Sequence, residues 1–207
     1  MSNSNSNETL TRRLWDAVSR PSQAALGSLL IVGILAGIMI WGSFNWAVEL
    51  SNTEIFCISC HEMEDNAFAE YRDSIHYSNR SGVRATCPDC HVPKSWIYKI
   101  KRKIGATNEL WHKAIGSIDT PEKFENKRLE LAMLEWIRMK ETDSRECRNC
   151  HNYDFMDFSE QGRRSSRIHE EGFDANKTCI DCHKGIAHDL PLMDMDKVNA
   201  ELAKYGD

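Results

Sequence analysis

Every cysteine of this 207-residue chain falls in one pentapeptide, Cys-x-x-Cys-His, which is spelled four times: Cys57-Ile-Ser-Cys60-His61, Cys87-Pro-Asp-Cys90-His91, Cys147-Arg-Asn-Cys150-His151 and Cys179-Ile-Asp-Cys182-His183. Residues three apart share a face of a helical turn, so the two thiols stand together with the imidazole aimed between them. This is the attachment signature of c-type haem: the thiols add across the porphyrin vinyls and the histidine ligates iron from one face. Two blander readings fit less well. Zinc ribbons pair cysteines without requiring a histidine directly after the second, and a disulfide framework fares no better when every cysteine obeys the pattern. Four covalently attached haem c groups on so short a chain point to electron transfer.

Four irons offer eight axial positions, and the chain has eight histidines. His61, His91, His151 and His183 lie in the motifs; His76, His112, His169 and His188 remain for the far side. The arithmetic suggests four bis-histidine haems, but Met63 follows His61 by two residues and competes with it for the first iron. A thioether ligand raises a haem's potential, which suits the haem that receives electrons first; the alternative is an ordinary packing methionine. His76 and His169 recur within an internal repeat, Ser74-Ile-His76 before the second motif and Arg167-Ile-His169 before the fourth, with Thr86 and Thr178 directly preceding the cysteines. His188 follows His183 by five residues. His112, beside Trp111, reads as a surface or packing residue rather than a ligand.

These motifs need positioning elements. Residues 1–22 carry Arg12, Arg13 and Arg20, and residues 23–47 hold an uncharged apolar run, Ala24 to Trp41, long enough to cross a bilayer as a helix. Trp15, Trp41 and Trp46 flank it as interfacial anchors, and the positive-inside rule places the N-terminus in the cytoplasm and the motifs in the periplasm of a bacterial inner membrane. The run is longer than a signal-peptide core and lacks an Ala-x-Ala site, so it reads as a retained anchor. Gly33 and Gly37 have the spacing of a helix–helix contact, which a homodimer would use, but small residues are common in membrane spans. Residues 48–118 and 146–207 read as two di-haem modules joined by an amphipathic helix over 119–145, opened by Asp119-Thr120-Pro121. On it Leu129, Met133, Trp136 and Ile137 recur at helical spacing, and Met133 and Met139 read as packing residues. The fold class is mainly α: one transmembrane helix and a small multihaem domain of short helices and loops. Only 41% of residues are hydrophobic and many lie in the span, so the soluble part is expected to need its prosthetic groups to fold. The net charge of −5 excludes little; no nucleic-acid partner is expected.

The anchor, the four motif intervals and the stretches Asn79-Arg-Ser-Gly-Val-Arg-Ala-Thr-Cys-Pro-Asp-Cys-His91 and Thr178-Cys-Ile-Asp-Cys-His-Lys-Gly-Ile-Ala-His188 resemble the NapC/NirT family of membrane tetrahaem quinol dehydrogenases over nearly the whole chain. The resemblance implies oxidation of menaquinol or ubiquinol at the periplasmic membrane face. Electrons would pass to a soluble reductase, nitrate reductase foremost, with nitrite and trimethylamine N-oxide reductases as alternatives. It implies Met63 as a ligand, as in nitrite-reductase-linked relatives, and a quinol site lined by Lys103 and Glu109. Quinol oxidation releases two protons, so a cation that orients the oxygen and a carboxylate that accepts a proton suit it. Lys94, Lys99, Lys101, Arg102 and Lys103 equally suit lipid phosphates, and residues six apart converge only if Gly105 bends the helix. Where relatives often read His-x-Pro-His, this chain has His91-Val-Pro-Lys94, so a candidate distal ligand is lysine here. A terminal multihaem reductase would need an open iron, which the abundance of histidines argues against; a structural or haem-storage role gives the anchor no purpose.

The purified protein should carry the mass of four haems with its N-terminal segment retained. Mass spectrometry showing loss of the first ~45 residues would remove the anchor reading.

Overall fold

The computed structural model describes residues 10–19 and 21–206. Arg20, part of the orientation argument, lies outside the described residues. The chain forms two compact units, Met1–Glu49 and Leu50–Asp207. In the first, α1 spans Leu10–Ser19 and α2 spans Leu26–Leu50. α2 is the one helix among the described residues long and apolar enough to cross a membrane, with a mean hydropathy of 2.1. At 1.5 Å per residue its 25 residues reach roughly 37 Å, enough for a hydrocarbon layer of about 30 Å. Its bounds lie three residues beyond the 23–47 read from hydropathy. The Asn45 amide within it donates to the Trp41 carbonyl at 2.8 Å, so this polar group is satisfied inside its own helix.

The second unit is a succession of short helices: α3 (Glu54–Ile58), a π-helical turn (Met63–Phe68) running into α4 (Ala69–Arg72), α5 (Cys87–His91), α6 (Trp96–Ala114), α7 (Pro121–Glu141), α8 (Arg145–Arg148), 3-10 turns at Tyr153–Phe155 and Phe158–Glu160, α9 (Arg163–Asp174), α10 (Cys179–Cys182) and α11 (Met195–Leu202). No strand occurs among the described residues. α7 starts as its sequence requires, with Pro121 in the first turn and the Thr120 hydroxyl accepting from Lys123 N. The threonines before the second and fourth motifs cap one-turn helices: Thr86 and Asp89, then Thr178 and Asp181, close reciprocal capping boxes. Such a box satisfies backbone donors that one turn of helix cannot satisfy itself.

Apolar packing is concentrated on α7. Trp136 and Met139 meet Ile180 of α10 and Val198 and Leu202 of α11, with Met133 and Ile137 packed alongside. The methionines of α7 are therefore packing residues, while Leu129 is exposed. Residues 195–202 form the helix that closes this core. Asp143 and Ser144 then turn the chain through the left-handed region, with φ of 52° and 48°. Each such non-glycine residue costs of order 1 kcal/mol, and Ser144, fully buried, spends its hydroxyl on Ile180 N at 3.1 Å. That bond ties the end of α7 to the fourth motif.

Leu202 is 1% exposed and Leu192 is 101% exposed. Leu202→Ala should cost about 3 kcal/mol and lower the melting temperature of the haem-loaded protein, whereas Leu192→Ala should leave it unchanged; far-UV circular dichroism melts check both.

Candidate haem-binding site

Six of the eight histidines meet in pairs. His169 and His183 face each other with Nε2 atoms 3.5 Å apart and ring centroids 5.8 Å apart. His91 and His188 have centroids 6.2 Å apart and planes 38° from parallel. His76 and His151 are also 6.2 Å apart, with planes at 81°. Two imidazoles on one metal ion, each at a bond of about 2 Å, place their centroids roughly 6 Å apart, so the residues fit a six-coordinate haem iron. In each pair one member belongs to a Cys-x-x-Cys-His motif and the other is one of the lone histidines His76, His169 and His188. Two pairs join the halves of the chain: His76 reaches the third motif and His188 the second.

Local structure sets these rings. Tyr71 is buried and its hydroxyl donates to the carbonyls of Ala85 and His76, pinning both ends of the loop after His76. Arg84 lies 4.2 Å from the Tyr77 ring centroid and pairs with Glu54. On the other side Tyr153 stacks on Phe173 at 4.6 Å, and Phe158 and Phe173 flank the His169 ring. Gln161 Oε1 sits 2.6 Å from His169 Nδ1; an amide oxygen only accepts, so Nδ1–H donates and Nε2 keeps its lone pair. Between His183 and His188 the chain turns at Gly185, φ 72°, where a Cβ would strike Leu190 at 2.7 Å. That turn sends two histidines five residues apart to different pairs. Burial lowers the pKa of both His183 and His188, as do the facing rings His169 and His91, which favours the neutral, metal-binding form.

Successive motifs are neighbours in space. The Cys57 and Cys87 thiols are hydrogen-bonded, as are Cys147 and Cys179, so that Cys57 and Cys179 have lowered pKa values and Cys87 and Cys147 raised ones. α5 packs on α8, which joins the second motif to the third.

A cavity open to solvent is lined by Cys57, Met63, His76, Cys87, Cys90, His91 and His188 among others. Met63 thus shares a wall with the first motif's thiol. The His61 side chain is exposed, with Nε2 3.4 Å from the Glu62 carboxylate, and belongs to none of the three pairs. Glu62 is itself buried and held by Lys113; burial opposes its charge, but Lys113, a backbone hydrogen bond and His61 together outweigh it and lower its pKa. His112 Nδ1 lies 3.2 Å from Ser117 Oγ, away from the pairs, and Lys94 is exposed ahead of α6. Lys103 donates to the carbonyl and hydroxyl of Ser51 at 2.6 and 3.0 Å and stands close enough to Cys57 to lower its pKa. Glu109 Oε1 pairs with Arg102 at 2.8 Å and is 63% exposed. α6 runs unbroken through Gly105, so Lys103 and Glu109 project about 120° apart.

Sequence reasoning missed Glu135 and Arg138 of α7. Glu135 Oε1 lies 2.7 Å from His91 Nδ1, and Arg138 binds both carboxylate oxygens and the Cys90 carbonyl. Burial opposes the charge on His91, yet the Glu135 carboxylate raises its pKa. Nothing in the spacing pairs residues 44 apart; the one available signal was a charged triad, Arg128, Glu135 and Arg138, on the face of a helix read only for its apolar stripe.

Cysteine pairs beside opposed imidazoles are the donor set of a multihaem c-type cytochrome. A model of the NapC/NirT cytochrome c family, N-terminal region, matches residues 19–193, and the chain belongs to that family. It is 53% identical over 193 residues to the cytochrome c-type protein NapC of Escherichia coli K12, covering 93% of this chain and 96% of that one. It is 60% identical over 173 residues to the denitrification system component NirT of Stutzerimonas stutzeri, covering 83% and 86%. Identity to the E. coli K12 cytochrome c-type protein TorC is 47% over 184 residues, which is 88% of this chain but 47% of TorC. No solved structure matches the chain.

Were His76 and His151 to hold one iron, the 81° between their rings would leave two of its d orbitals nearly degenerate, so that pair should give a highly anisotropic low-spin EPR signal and the other two pairs ordinary ones. His76→Ala should abolish that signal and create one high-spin haem; His112→Ala should leave the spectrum as it is.

Proposed function

We propose that the chain binds four haem c groups and serves as a quinol dehydrogenase of the bacterial inner membrane, supplying electrons to a periplasmic reductase. The thiols of the four motifs attach the groups. His91 with His188, His151 with His76, and His183 with His169 ligate three irons, and Met63 ligates the first, with His61 turned outward. When bound, the haems supply one-electron carriers for the two electrons that quinol releases with its two protons. The observation that carries this reading is the unbroken order of the motifs, Cys57 beside Cys87, α5 on α8, Cys147 beside Cys179. Its first member begins seven residues after the end of α2, where a lipid-soluble quinol is within reach, and its last lies three motifs away.

Lys103, held by Ser51 directly after α2, orients the quinol oxygen. Glu109, about 120° further round α6 and open to solvent, accepts the released proton and passes it to water. The N-terminus is cytoplasmic and the motif-bearing unit periplasmic, by the positive-inside rule applied to Arg12 and Arg13. The extent of identity to NapC favours nitrate reductase as the acceptor; nitrite and trimethylamine N-oxide reductases are the alternatives that the family resemblance implies.

Removing the lysine charge loses a charge-assisted hydrogen bond, so Lys103→Gln should slow reduction by a menaquinol analogue about tenfold. Reduction by dithionite and the spectra should not change, and Glu109→Gln should act likewise. Stopped-flow rates equal to wild type in both variants would place the quinol elsewhere.

A further inference from the structure

α7 turns a polar face carrying Arg128, Glu135 and Arg138 toward the pair His91 and His188. Glu135 Oε1 is 2.7 Å from His91 Nδ1. A carboxylate only accepts, so Nδ1–H donates and Nε2 is left for the metal. Glu135 is 23% exposed on its side chain, which limits screening by water.

Among the described residues, no other imidazole has a carboxylate within hydrogen-bond distance of its Nδ1. His169 Nδ1 meets the neutral amide of Gln161, and His76 Nδ1 is buried with no hydrogen-bond partner. Glu62 approaches His61 through Nε2 instead. Glu70 lies 3.9 Å from His188 Nδ1, but its charge is taken up by Arg128.

We propose that Glu135 is a positioning residue that sets the reduction potential of the haem held by Cys87, Cys90 and His91 and makes it the lowest of the set. The inference rests on the reading that His91 ligates iron. A carboxylate that accepts the Nδ1–H bond gives the imidazole partial imidazolate character and makes it a stronger donor, which favours the oxidised iron. Arg138 competes for the same carboxylate and moderates the effect. The two residues therefore act with opposite sign on one haem.

The test is a potentiometric titration of the full haem-loaded protein in detergent, followed by optical and EPR spectra, on Glu135→Gln, Arg138→Gln and Glu130→Gln. Glu130→Gln removes an exposed charge from the same helix. Glu135→Gln should shift the oxidised-to-reduced ratio of the lowest-potential haem about tenfold toward reduced, a rise of 59 mV for one electron. Arg138→Gln should shift the same haem the other way, and Glu130→Gln should shift nothing. The shifted haem should not be the one with the highly anisotropic EPR signal. Unchanged potentials in Glu135→Gln, or shifts of the same sign in both variants, overturn the proposal, since mere loosening of the ion pair moves both alike. If Glu135→Gln does not retain its haems, the sign of the Arg138→Gln shift decides. His91→Ala with an unaltered low-spin spectrum would instead show that the ligand reading is at fault.

Discussion

The structure depends on bringing imidazoles face to face across the chain. A Cys-x-x-Cys-His turn supplies one ring by itself, but the opposing ring must come from elsewhere, 14 residues away for His169 and His183, 75 for His76 and His151, and 97 for His91 and His188. The two long separations knit residues 50–207 into one unit. Each half contributes a ring to the other, so neither half as read from the repeat completes all of its pairs unaided.

Apolar packing alone gives this unit little. Seven hydrophobic side chains are buried among the described residues, five of them in the cluster where α7 meets α10 and α11. Elsewhere α7 works as a polar strap: Arg128 binds Glu70, Arg138 binds Glu135 and Glu146, and Lys140 binds Asp181 at 2.9 Å. These pairs are half-buried, where removing one partner strands a charge and costs more than the pair itself contributes. Such an arrangement suits a domain whose interior is shared with prosthetic groups, because polar straps fix the spacing of motifs without filling the space between them.

The same helix links stability to electron chemistry. Its apolar stripe, Trp136 and Met139, holds α10 and α11, while its polar face reaches His91 through Glu135. The π-helical turn after the first motif has a comparable double role, since it sets Met63 toward the cavity and leads into Tyr71, which pins the loop after His76.

Much was legible in the sequence because it is encoded locally. A one-turn helix with two thiols and an imidazole is written in five consecutive residues, a membrane span in about twenty, and the start of α7 in Thr120-Pro121; short-range sterics and hydrogen bonding determine each. The threonines noticed as a repeat proved to be caps, for the same local reason. Partnership was not legible. Which lone histidine faces which motif, that Glu135 rather than a backbone carbonyl meets His91 Nδ1, and that Lys103 and Glu109 leave α6 on different faces are set by how helices pack. No spacing rule reaches across 44 or 97 residues. Residues 195–202 became a helix of the core because Val198 and Leu202 found Trp136 and Met139 to pack against, an apolar surface that exists only once α7 is in place. The sequence by itself determined the cofactor chemistry and the family; tertiary structure alone decided which rings, thiols and charges meet, because those meetings depend on packing between segments remote along the chain.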